Sequence, residues 1–237
     1  MRTLPISLIL LVGISLVGCK GKDTSTTSSA STTTTTSTGA GGLDGTYTIK
    51  SSTNPGGAHG YTGTVAIAKS GDVYTLDWTI PNSAPYKGVA LLNGSNLAVG
   101  WGMGGNFGVV VYEIAGKKLS GKWATGGSSS VGTEDLEGPE NLDGTYTIVK
   151  GQNPNGKTYT GTVTIHPSGD TYGVTWKLAS SESYTGVAIK NGSVLTVGWG
   201  VGGKGAGVVD YEVSGSTLNG KWATPGGTQL GTEVLTK

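Results

Sequence analysis

Leu-Asp-Gly-Thr-Tyr-Thr-Ile at 43–49 returns at 142–148, and Gly-Lys-Trp-Ala-Thr at 121–125 returns at 220–224. At an offset of 98 or 99 residues, with a one-residue gap in each of two loops, every Tyr and Trp of one copy meets its like in the other. Tyr47 falls on Tyr146, Tyr61 on Tyr159, Tyr74 on Tyr172, Tyr86 on Tyr184 and Tyr112 on Tyr211; Trp78 falls on Trp176, Trp101 on Trp199 and Trp123 on Trp222. These pairs use all six Trp and all ten Tyr, so the aromatic framework belongs to the repeat unit. A unit of about 95 residues is near the size of a small independent domain. The expected organisation is repeat 1 over 43–136, a linker over 137–141 and repeat 2 over 142–237.

Within each unit, eight short runs alternate with period two or are rich in β-branched and aromatic residues, which is the pattern of strands. In repeat 2 they span 144–150, 159–166, 171–178, 184–190, 194–200, 207–213, 217–223 and 231–236, and repeat 1 shows the same eight. Asn93-Gly94 and Asn191-Gly192 fall between runs and predict type I′ hairpins, which need positive φ at both central residues. No segment has convincing helical periodicity, and the connections are too short for parallel crossovers, so the strands should run up and down in chain order. Alternation turns Tyr172, Val174, Trp176 and Leu178 to one face, with Tyr74, Leu76, Trp78 and Ile80 matching them. The other face reads as mostly Thr, Ser, Lys, Gly and Ala. The fold class expected is therefore all-β: two tandem antiparallel eight-stranded up-and-down β-barrels, a lipocalin- or avidin-like meander in which closure removes the sheet edges. A two-sheet sandwich is the second choice, disfavoured by the short turns.

Sixteen basic and fifteen acidic residues nearly cancel, and the single Arg is Arg2. With no basic stripe to neutralise phosphates, nucleic acid is not an expected partner. Arg2 precedes an apolar run from Leu4 to Val17 that is too short to span a bilayer comfortably and has the layout of a signal peptide over 1–18. Its ending, Leu16-Val17-Gly18-Cys19, resembles a bacterial lipobox. That resemblance implies that Cys19, the only Cys, is the lipidated first residue of the mature chain, anchored in the membrane of the cell envelope. Lys20 in place of Asp implies the outer membrane or cell surface. From Thr24 to Thr38 every residue but Ala30 is Ser or Thr, so 19–42 reads as a flexible tether that cannot build a core.

Two sets of residues are candidates for chemistry. Trp78, Trp101, Trp123 and Tyr112 share the inferred interior of repeat 1, and Trp176, Trp199, Trp222 and Tyr211 that of repeat 2. Aromatic walls suit sugars, flat rings or apolar ligands, but no convergent polar groups are evident beside them, so core packing is their expected role. Glu134 and Glu233 stand in matched Gly-Thr-Glu triplets, turned inward by alternation with Leu136 and Leu235, where an unpaired carboxylate is expensive. Lys122 and Lys221 are the matched cations nearby in sequence. Gly102-Met103-Gly104-Gly105-Asn106-Phe107-Gly108 lacks the helix that a phosphate loop needs and is expected to be a hairpin at a barrel mouth, with the unpaired Phe107 an exposed contact. No metal-ligand cluster, Ser-His-Asp set or carboxylate pair recurs in both copies, so neither an enzyme nor a cofactor is expected.

Leu142 to Tyr146, Asn153 to Gly156, Tyr159 to Gly161, Trp176, Tyr211 to Val213, Leu218 to Trp222 and Gly231 to Thr236 together resemble a group of small secreted bacterial proteins labelled fibronectin-binding. The likeness covers nearly the whole unit twice; repeat 1 departs at Gly56 and Asp135. It implies a role in adhesion or binding, with an extracellular protein or glycan as partner; the chain is expected to be monomeric. The other reading of the same residues is a carrier that holds a small apolar or aromatic molecule inside the barrel.

Overall fold

The computed structural model describes residues 42–201 and 206–237. The expected signal peptide, Cys19 and all but the last residue of the tether lie outside them. The described chain forms two closed antiparallel eight-stranded β-barrels, as the alternation required. The strands of repeat 1 are β1 (Gly45–Thr53), β2 (Thr64–Ser70), β3 (Val73–Thr79), β4 (Tyr86–Asn93), β5 (Asn96–Gly102), β6 (Phe107–Ala115), β7 (Lys118–Thr125) and β8 (Gly132–Glu137). Those of repeat 2 are β9 (Gly144–Gln152), the two-residue β10 (Thr158–Tyr159), β11 (Gly161–Ser168), β12 (Thr171–Leu178), β13 (Ser183–Asn191), β14 (Val194–Gly200), β15 (Ala206–Ser214), β16 (Thr217–Ala223) and β17 (Gly231–Thr236).

The barrels do not coincide with the repeats. The first closes in the order β1-β17-β16-β15-β5-β4-β3-β2, so five strands come from repeat 1 and three from repeat 2. The second takes β9 and β11 to β14 from repeat 2 and β6 to β8 from repeat 1, with β8 paired to β9 to close the ring. Each barrel keeps the expected meander order because β15 to β17 occupy the places that β6 to β8 would have filled. The division into one barrel over 43–136 and another over 142–237 is thereby corrected. The segment 137–141 is a connection inside the second barrel, between the paired β8 and β9, rather than a link between domains. The chain passes from one barrel to the other through Met103–Asn106 and again after Val201. The glycine-rich segment after β5 is accordingly no hairpin: β5 pairs with β15 and β6 with β14.

Residues that defeat simple alternation explain the exchange. Val89, Leu91 and Ala98 point outward from the first barrel and pack on Phe107, Val109, Val111 and Ala124 of the second. The reciprocal contact sets Val187 and Ile189 of the second barrel on Val208 and Ala223 of the first. These side chains cover the outer faces of the crossing strands, leaving β4 to β6 apolar on both sides, as buried strands are. Phe107 is 6% exposed and part of this interface, which corrects its expected role as an exposed contact. The clasp is completed by loops: the Asp72 amide donates to Ser129 O at 2.9 Å, and the Asp170 amide to Thr228 O at 2.8 Å.

The interface is symmetric in backbone but not in chemistry. Asp210 replaces the matched Val111; although buried, it accepts hydrogen bonds from Asn96 at 2.5 Å, Thr196 at 2.7 Å and Asn191 at 3.3 Å. Thr196 and Asn191 lie on the opposite barrel, so the carboxylate ties the two together with every bond donated by a neutral group.

Six two-residue turns share one chemistry. Positive φ falls on Gly71, Gly94, Gly116, Gly169, Gly192 and Gly215, each the first central residue, and not on the residue that follows. That is the signature of a type II′ turn, and it replaces the expected type I′ geometry.

The fragment 142–237 alone should self-associate, because Val187, Ile189, Val208 and Ala223, which pack between the barrels, would all be left on the outer surface if its last three strands closed its own barrel. Light scattering of that fragment at micromolar concentration should give the mass of an exchanged dimer; a stable monomer would contradict the arrangement.

Candidate functional site

Strand exchange regroups the predicted site residues. Trp78 and Trp101 of repeat 1 meet Trp222, Tyr211 and Glu233 of repeat 2 inside the first barrel, while Trp176 and Trp199 meet Trp123, Tyr112 and Glu134 inside the second. The expected sets, one per repeat, are therefore corrected: each lumen is built from both. The rings do not fill it. An open cavity of about 260 Å³ remains in the first barrel and one of about 220 Å³ in the second.

The cavities exist because the rings lie against glycines of the neighbouring strand. A Cβ on Gly207 would fall 2.4 Å from the Trp101 ring, and one on Gly108 2.4 Å from Trp199. The same holds for Gly231 under Trp222 and Gly132 under Trp123, at 2.4 and 2.3 Å. With no side chain in the way, each indole rests on the barrel wall. Tyrosines then stand edge-on at the open end: Tyr86 against Trp101 at 5.4 Å, Tyr184 against Trp199 at 5.2 Å, and Tyr61 against Trp222 and Tyr159 against Trp123 at 6.3 Å each. Such edge-to-face pairs suit the ring quadrupoles. These four tyrosines are site residues that strand parity did not single out, although the complete pairing of aromatics between repeats contained them.

A carboxylate lines each lumen. Glu233, 1% exposed, accepts from the Tyr211 hydroxyl and from Trp78 Nε1 at 3.3 Å. Glu134, 2% exposed, accepts from the Tyr112 hydroxyl and from Trp176 Nε1 at 3.1 Å. The rings thus do have convergent polar company, contrary to the sequence expectation, and of the two places expected for the glutamates, the barrel rim or the buried interior, they occupy the interior. Their partners are phenols and indoles: Lys122 and Lys221 are exposed and make no such contact. Burial pushes both glutamates above the ordinary carboxyl value, and the hydrogen bonds from Tyr112 and Trp176, or Tyr211 and Trp78, pull them part of the way back. Burial, then the adjacent carboxylate, likewise raises the phenols of Tyr112 and Tyr211.

Each lumen also holds an unanswered donor. The indole N–H of Trp222 and that of Trp123 are buried without a hydrogen-bond partner, as is Oε1 of Glu233. Leaving such groups unpaired costs about 1–3 kcal/mol each; both indole nitrogens lie against wall glycines, Trp123 on Gly132 and Trp222 on Gly231, beneath the surface of the lumen. Among the described residues no group of His, Cys, Asp and Glu could hold a metal ion. No protein-family model, no curated protein and no solved structure matches the chain.

Both glutamates are raised in the folded chain, so their stabilising contribution is fullest below the ordinary value of 4.5 and is lost as pH rises through the raised folded values. Melting temperature should therefore fall from about pH 4.5 towards alkaline pH, and the double variant E134Q/E233Q should flatten that slope; an unchanged slope would assign the pH dependence elsewhere. Gly132→Ala, which drives a methyl into Trp123, should cost about 1–3 kcal/mol in denaturant unfolding and perturb the second lumen alone.

Proposed function

We propose that this chain is a lipoprotein of the bacterial cell envelope, anchored through Cys19 and a Ser/Thr-rich tether, that binds small ligands in its two barrel lumens. The observation that carries the binding reading is the matched pair of hollow, aromatic-walled cavities, each lined by a buried carboxylate. A barrel needs only a packed interior for stability, and here matched glycines keep that interior open in both copies. The anchor and envelope location rest on the Leu-Val-Gly-Cys ending and the composition of 24–38.

Of the two roles expected from the sequence, the carrier-like one has the stronger physical support. The motif residues behind the resemblance to fibronectin-binding proteins include Tyr146, Tyr211, Leu218 and Trp176, all of which are buried. They build the barrel and its lumen, whereas adhesion would call on an exposed surface.

Six tryptophans, three in each lumen, make occupancy visible by fluorescence. A panel of small amines, sugars and aromatic compounds should contain binders that quench it with two sites per chain, and E233Q or E134Q should alter one site each. Binding that neither substitution affects would place the ligand outside the barrels and overturn this reading.

A further inference from the structure

Resting on the reading of the lumens as ligand sites, we infer that each takes a small organic cation, an alkyl- or methylammonium group, with Glu233 and Glu134 as its counter-ions. Charge balance carries the argument. Among the described residues, neither lumen is lined by any Lys, Arg or His. Each carboxylate is held by phenol and indole donors alone, and in the first barrel Glu233 Oε1 has no partner. A buried carboxylate without a cation lacks the partner that most favours its charged form. An anionic ligand would meet that carboxylate head-on, and a neutral apolar one would leave it uncompensated.

The walls favour the same class. Three indoles and two phenol rings surround each cavity, and a cation within about 6 Å of an aromatic face is drawn to its quadrupole, most strongly where water is excluded. Both cavities are smaller than the roughly 300–1,000 Å³ typical of drug-sized sites, which suits a compact head group.

The two lumens should differ in strength. Glu182 lines the second, where Ser83 lines the first, so the second has an additional acid and should hold the cation more tightly. Cation binding also favours the ionised glutamate, which burial disfavours in the empty barrel, so affinity should increase with pH as Glu134 and Glu233 lose their protons.

The test is a charge series of equal shape, titrated into the full chain by calorimetry and tryptophan fluorescence: choline, its neutral analogue 3,3-dimethylbutan-1-ol and the anion 3,3-dimethylbutanoate. Choline should bind at two sites, at least about tenfold more tightly than the neutral analogue, with the anion weakest. E233Q and E134Q should each abolish that preference at one site, and E182Q should weaken only the tighter. The wild-type comparison stands even if a variant fails to fold. Equal affinity for choline and the neutral alcohol, or a preference for the anion, would overturn the cation assignment and leave the lumens as ligand sites. Failure of all three compounds and of the wider panel would overturn both.

Discussion

Where β5 of the first barrel passes β6 of the second, a Cβ on Gly100 would lie 2.0 Å from the carbonyl oxygen of Gly108, and Gly198 meets Gly207 in the same way at 2.0 Å. No other residue permits two backbones so close. This double crossing, bare of side chains at four matched positions, lets each repeat send its last three strands into the other barrel. Everything else depends on it: the apolar outer faces that pack there, the loops that clasp across it, and the composition of both lumens. Gly108 and Gly207 serve twice, since the space they leave on the inner side receives the rings of Trp199 and Trp101.

Exchange makes the two lumens chemically dependent on both repeats. The first is closed by Trp78 and Trp101 from one copy and by Trp222 and Glu233 from the other, so neither copy holds a complete site of its own. Buried carboxylates, indoles without acceptors and space left open cost stability that a packed core would not. A two-barrel interface rich in Val and Ala offsets part of that cost. Asp210, bonded across the interface to Thr196 and Asn191, fixes one half of the pseudo-symmetric contact by polar geometry while Val111 leaves the other apolar.

Much of this was legible in the sequence. Alternation located nearly every strand within a residue or two, and the matched Gly-Thr-Glu triplets marked the interior acids. Strand partners were not legible, because a repeat that supplies β6 to β8 and one that supplies β15 to β17 offer the same pattern to either barrel. One signal did point to it: Phe107-Gly-Val-Val-Val-Tyr112 is apolar at both parities, which a strand with a solvated outer face would not be. The hollow interior was hidden for a different reason. Trp and Tyr at interior positions read as filling, and only the placement of glycines opposite the rings, seen once the strands are paired, leaves a cavity.

Strand exchange is tested most directly by which residues can be cross-linked. In a Cys19→Ser background, T53C/T232C joins two exposed positions whose hydroxyls now lie 2.9 Å apart on paired β1 and β17, although 179 residues separate them. In a barrel made from repeat 1 alone, Thr53 would instead face Thr133, the match of Thr232. Mild oxidation at low protein concentration should close an intramolecular disulfide in T53C/T232C and leave T53C/T133C reduced. The reverse result would show that each repeat closes its own barrel, and the composite lumens would fall with it.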